Sequence, residues 1–209
     1  KTVLVDGGYL VFGGMLWNAG VTLGFLGILA GNASGLEGLQ MPGWVLPLLF
    51  FGFVLVGLSL VQTNNRRTDE EMSPAQWFLF AATLWLPWVL AGSYLLIHFF
   101  NARGVVANIV DWWFIHNFAR VYLTFVGLGT LFHFLPAMTG RALEGRGHAQ
   151  FAFWVLLLFG SVGGVGPGAP VPAWLPALST VTAVFYFFGV IAVWVSLTRT
   201  VNGASAAND

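Results

Sequence analysis

The sequence holds no cysteine. That excludes disulfides, iron–sulfur clusters and covalently attached haem, and leaves the redox compartment open. Charge is scarce as well: 8% of the 209 residues are charged and 57% are apolar, at a mean hydropathy of +0.81. A soluble domain covers its surface with roughly a quarter charged residues, so this chain is suited to lipid. The formal net charge is +0, which excludes nucleic-acid steering by bulk charge. The N-terminal stretch KTVLVDGGYLVFGG lacks the basic run, short apolar core and small-residue cleavage site of a secretory signal. It also lacks an initiator Met, leaving two readings open: a processed chain, or a portion of a longer one. No hydrolytic triad, phosphate-binding loop or pair of catalytic carboxylates is present, so no catalytic residue is assigned.

What the sequence does contain is long apolar runs. A helix needs about 20 apolar residues to cross roughly 30 Å of hydrocarbon. Runs of that kind cover approximately 8–31, 43–63, 76–100, 110–136, 149–166 and 174–198. They are continuously apolar and do not alternate, which argues against strands. The expected fold is therefore all-α: one integral membrane domain, 1–209, a polytopic bundle of about six transmembrane helices. Its breaks are polar or rich in Gly and Pro: GNASGLEGLQMPG, TNNRRTDEEMSP with a Ser-Pro helix start, AMTGRALEGRGH, and GGVGPGAPVPAWLP, which no helix traverses intact.

Six spans put both termini on one side with the second and fourth loops. That side carries Lys1, Arg66, Arg67, Arg141, Arg146 and Arg199, and the other carries Arg103. The bias predicts cytoplasmic termini, in a bacterial inner membrane or facing an organelle's matrix. The acidic cluster Asp69, Glu70 and Glu71 follows Arg66 and Arg67 and reads as a solvated turn. In the first span Gly20, Gly24, Gly27 and Gly31 share a helical face, a surface for close helix approach. The 10 Trp and 20 Phe suit interfacial belts and lipid contact without any cofactor.

The polar residues of the fourth span carry the functional interest, because a charge in mid-membrane costs about 2.5–3.5 kcal/mol on insertion scales. If the span starts near Asp111, His116 lies roughly 7 Å below it and Arg120 roughly 13 Å below it. The two are four apart and share a face. His98, near the outer end of the third span, reaches a similar depth on an antiparallel neighbour. Two readings stand. His98 and His116 hold a haem or metal between the helices, or each imidazole is satisfied by a backbone carbonyl or an indole. Arg120 needs a partner: Asp111, freed carbonyls, an acid on another subunit, or a haem propionate. His133 and His148 read as structural or solvated.

The sequence WWFIHN, followed by Leu123-Thr124, Leu128-Gly129, a Phe-x-Pro ending at Pro136, and Gly140-Arg141, resembles helix six of the haem-copper oxidase catalytic subunit. The similarity is nearest to the C-type cytochrome oxidases and nitric oxide reductases. LLIHFFN (95–101) resembles the end of the preceding helix, and AWLPAL (173–178) the entry to the eighth. The resemblance covers approximately 76–185 and implies that the six spans correspond to helices three to eight of subunit I. It implies that His116 stands at one copper-ligand position. The family's other two ligands are a His-His pair in helix seven, whose approximate place is taken here by Gly164 and Val165. No histidine occurs in 149–209, and the tyrosine expected near the copper is missing from that helix. The family's haem ligands come from helices two and ten, which this chain does not contain on that correspondence. Arg120 replaces a small or apolar residue and would repel a metal cation.

These readings combine into one expectation. The chain is a truncated, degenerate relative of subunit I, a non-catalytic membrane subunit of a respiratory complex, with no copper and no metal site of its own. Its partners are lipid, other membrane subunits and a cytochrome subunit. Two alternatives remain: a haem b-binding redox subunit (or portion) of a cytochrome c oxidase or nitric oxide reductase using His98 and His116, with Arg120 on a propionate or carboxylate, and a small transporter or assembly factor using Arg120.

Overall fold

The structure of the protein, a computed structural model, describes residues 4–5, 7–66, 71–140 and 143–205. Lys1, Arg67, Asp69, Glu70 and Arg141 lie outside them, and the charge bias rests within them on Arg66, Arg103, Arg146 and Arg199. The described residues are helical and irregular, with no strand. In chain order the helices are α1 (Gly7–Leu29), α2 (Leu46–Asn65), α3 (Pro74–Tyr94), α4 (Val105–Asn117), α5 (Thr124–Thr139), α6 (Arg146–Gly160) and α7 (Trp174–Ser205). A π turn, Leu95–Phe99, extends α3, and a second, Phe118–Leu123, joins α4 to α5. The stretches Gly7–Leu29, Leu46–Asn65, Pro74–Phe99, Val105–Thr139 and Trp174–Asn202 are long and apolar enough to cross a membrane.

Local chemistry explains the boundaries. Ser73 and Gln76 form a reciprocal cap at the start of α3: the Ser73 amide donates to Gln76 Oε1 at 2.7 Å, and the Gln76 amide to Ser73 Oγ at 3.4 Å. Gly140 ends α5 in the left-handed conformation, φ 67°, which glycine adopts without steric cost. The fourth span begins at Val105, earlier than the expected start near Asp111, and continues to Thr139. The run expected at 149–166 becomes a 15-residue helix, Arg146–Gly160, about 22 Å long. It stops there because Gly163 and Gly164 take φ of +130° and +100°, values incompatible with a helix.

The contacts divide the chain into two compact units: 1–71 with 83–115, and 72–82 with 116–209. In the first, α1 packs along α2 through glycines. A Cβ on Gly13 would lie 2.6 Å from the Gly52 carbonyl, and one on Gly20 would lie 2.8 Å from Leu49 Cδ2. Gly24 and Gly27 meet Met41 and Pro42 of the following loop. Gly31, expected on this face, instead lies beyond α1 in a turn, where a Cβ would meet nothing within 4 Å. The second unit is centred on Phe78, which is fully buried. Its ring meets Phe125, Phe132 and Phe153 at centroid distances of 4.9, 5.5 and 5.4 Å.

Candidate functional site

His98 and Asp111 belong to the first unit, His116 and Arg120 to the second. Within the first, Asp111 is buried, 3% exposed. Its Oδ1 accepts the backbone N–H of Gly38 at 3.0 Å and of Leu39 at 3.1 Å. The carboxylate thus ties the α1–α2 loop to α4, and two amide donors offset part of its burial. His98 lies in the first π turn. Its ring sits against Gly43, where a Cβ would come within 2.6 Å of Cε1 and 2.9 Å of both ring nitrogens. On the Tyr94 side, the two ring centroids are 4.8 Å apart.

In the second unit His116 is the penultimate residue of α4. Its Nε2 is buried and without a hydrogen-bond partner. An imidazole ligates a metal through the lone pair of such a free nitrogen. What faces Nε2 is Gly163: a Cβ there would stand 3.3 Å from it and 3.4 Å from Thr182 Oγ1. This is one residue before the Gly164 and Val165 singled out from sequence. Asn117 Nδ2 donates to the Ser161 carbonyl at 3.2 Å, and Thr182 Oγ1 to the Val162 carbonyl at 3.0 Å, which holds the irregular 161–163 segment beside His116.

Arg120 lies inside the second π turn. Its guanidinium carbon stands 5.1 Å from the centroid of the Tyr186 ring, a cation–π arrangement, while Asp111 is engaged by loop amides. Tyr186 also donates its hydroxyl to the Arg120 carbonyl at 2.9 Å. Thr182 and Tyr186 are four apart on one face of α7 and were not singled out from sequence. Polar groups at that spacing in an otherwise apolar span were the available signal. His133 is exposed on α5, and His148 lies in the first turn of α6.

Among the described residues no group of three or more His, Cys, Asp or Glu side chains could share a metal ion. His116 is a single imidazole there, and one imidazole holds a transition metal weakly. The family described as cytochrome c and quinol oxidase polypeptide I matches residues 7–207. The chain belongs to that family. It is an integral membrane protein of the haem-copper oxidase subunit I type. A curated relative, the cytochrome c oxidase subunit 1 homolog of Agrobacterium tumefaciens (strain T37), is 26% identical over 159 residues. That alignment covers 72% of this chain and 29% of the relative, so the chain spans less than a third of the curated protein it matches. Members of this oxidase family bind haem and work in multi-subunit membrane complexes.

Proposed function

We propose that this chain supplies membrane-spanning helices of a subunit I-type scaffold within a respiratory or electron-transfer complex and builds no copper centre of its own. The observation that carries the reading is the pairing of His116 Nε2 with Gly163, a residue with no side chain and a φ of +130°. Both residue type and backbone conformation there oppose a second ligand. The partners in this reading are lipid, other membrane subunits and a cytochrome subunit. The membrane is the bacterial inner one, with the Arg-rich loops and both termini cytoplasmic. The test is direct: the purified chain contains no stoichiometric copper by elemental analysis and consumes no oxygen. Stoichiometric copper sinks the reading.

A second reading is favoured by the relative's name and by the 29% of its length that the match spans. In it the chain is part of a haem b-containing assembly in which His98 or His116 contacts the cofactor and further ligands lie outside these residues. A reduced-minus-oxidised difference spectrum with a haem b band that disappears in His116→Ala supports it. A haem-free preparation rejects it.

A further inference from the structure

We propose that the Tyr186 hydroxyl is the positioning group that keeps the Phe118–Leu123 turn in its wide π form and thereby aims His116, and not Asn117, at Gly163. The inference concerns direction alone and holds whether or not His116 ever meets a metal.

A π turn accommodates one residue more than the α-helix it interrupts, and it persists only where something compensates for its poorer packing. One residue of α-helix is a rotation of about 100°. Converting Phe118–Leu123 to regular helix, with α5 held in place, would shift every upstream residue by one position. Asn117 would then come to the place of His116, and the imidazole would turn away by about 100°. The segments around the turn fit the present register and not the shifted one. Asn117 Nδ2 reaches the Ser161 carbonyl at 3.2 Å, and His116 Nε2 lies 3.3 Å from where a Cβ on Gly163 would stand.

Two hydroxyls stand on the carbonyls of the turn. Thr124 Oγ1 donates to the Ala119 carbonyl at 3.1 Å, and the Tyr186 hydroxyl donates to the Arg120 carbonyl at 2.9 Å, 66 residues away in sequence. Tyr186 Oη is also 3.3 Å from Thr124 Oγ1, which links the two. Thr124 belongs to the span itself and cannot choose between its registers alone. Tyr186 comes from α7, so its hydroxyl is the external constraint. Its ring is separately employed: it packs on Gly160, where a Cβ would meet Tyr186 Cε2 at 3.0 Å, and it carries the Arg120 guanidinium.

That division of labour makes Tyr186→Phe a selective probe, since phenylalanine keeps the ring and removes the donor. The full chain in lipid nanodiscs, labelled at His and Gly, should show a nuclear Overhauser contact between the His116 imidazole and the Gly163 α-protons. In Tyr186→Phe the contact is lost while the helix content by circular dichroism stays unchanged. A packing role for Tyr186 would leave the contact in place, so its persistence in a folded Tyr186→Phe overturns the proposal. If Tyr186→Phe loses helix content, Thr124→Val decides by the same signal: a weakened contact supports the hydroxyl pair as the lock, and an undiminished one overturns it.

Discussion

Asp111 Oδ1 accepts the backbone N–H of Leu39 at 3.1 Å, joining residues 72 positions apart, and the adjacent Gly38 amide reaches the same oxygen at 3.0 Å. An acid in a membrane protein invites a functional reading, yet here it anchors a loop. Replacing it with alanine strands two amide donors, each at about 1–3 kcal/mol. Asp111→Ala should therefore lose about 3 kcal/mol of stability. Asp111→Asn, which keeps an acceptor without the charge, should lose about 1 kcal/mol. Thermal unfolding in detergent ranks the two, and equal losses contradict the loop-anchor role.

The glycines of α1 should divide sharply. A Cβ on Gly13 would press on the Gly52 carbonyl at 2.6 Å, whereas one on Gly8 would meet nothing within 4 Å. Gly13→Ala should cost about 1–3 kcal/mol through overpacking against backbone. Gly8→Ala should be neutral or stabilise by up to about 1 kcal/mol, from helix propensity and reduced unfolded-state freedom. The comparison needs only melting temperatures of the two variants in one detergent.

Phe78 is fully buried and meets three other phenylalanines. Phe78→Ala should cost about 3–5 kcal/mol, the range for an aromatic removed from a packed core. Phe78→Leu, which retains much of the volume, should cost clearly less. Trp88 lies on the same helix with 64% of its surface exposed, and Trp88→Ala should fall within about 0.5 kcal/mol of the parent. A similar loss at both positions would show that the aromatic cluster is not the core of its unit.

Introducing histidine at position 163 asks whether the backbone there admits a second imidazole beside His116. Gly163 has a φ of +130°, a region reserved largely for glycine. Gly163→His should therefore lower stability by about 1–3 kcal/mol for the strain and still bind no stoichiometric copper by elemental analysis. A folded variant that takes up copper would show that the backbone adapts to a second ligand.

Much of the architecture follows from patterns close together in the chain. The apolar runs mark the membrane helices because burying a backbone in hydrocarbon demands that each run satisfy its own hydrogen bonds. Ser73 and Gln76 cap α3 through contacts three residues apart, a spacing visible in the sequence itself. The family, too, was apparent there, from WWFIHN and the residue pairs after it. Gly20 was correctly placed on a tight face, while Gly31 was not, because periodicity says where a face runs and not where its helix ends.

By itself, then, the sequence determined a helical membrane protein of the oxidase subunit I type with His116 in its fourth span. Those properties rest on hydropathy, capping and residue identity, all local quantities. Only the tertiary structure decided what His116 and Arg120 face. Gly163 opposes the imidazole because 161–163 leaves the helix and is held by Asn117 and Thr182. Arg120 rests on Tyr186 because a π turn lies between α4 and α5. The direction of a side chain within a span depends on one added residue in one turn, and that turn is held from α7, 66 residues further along the chain.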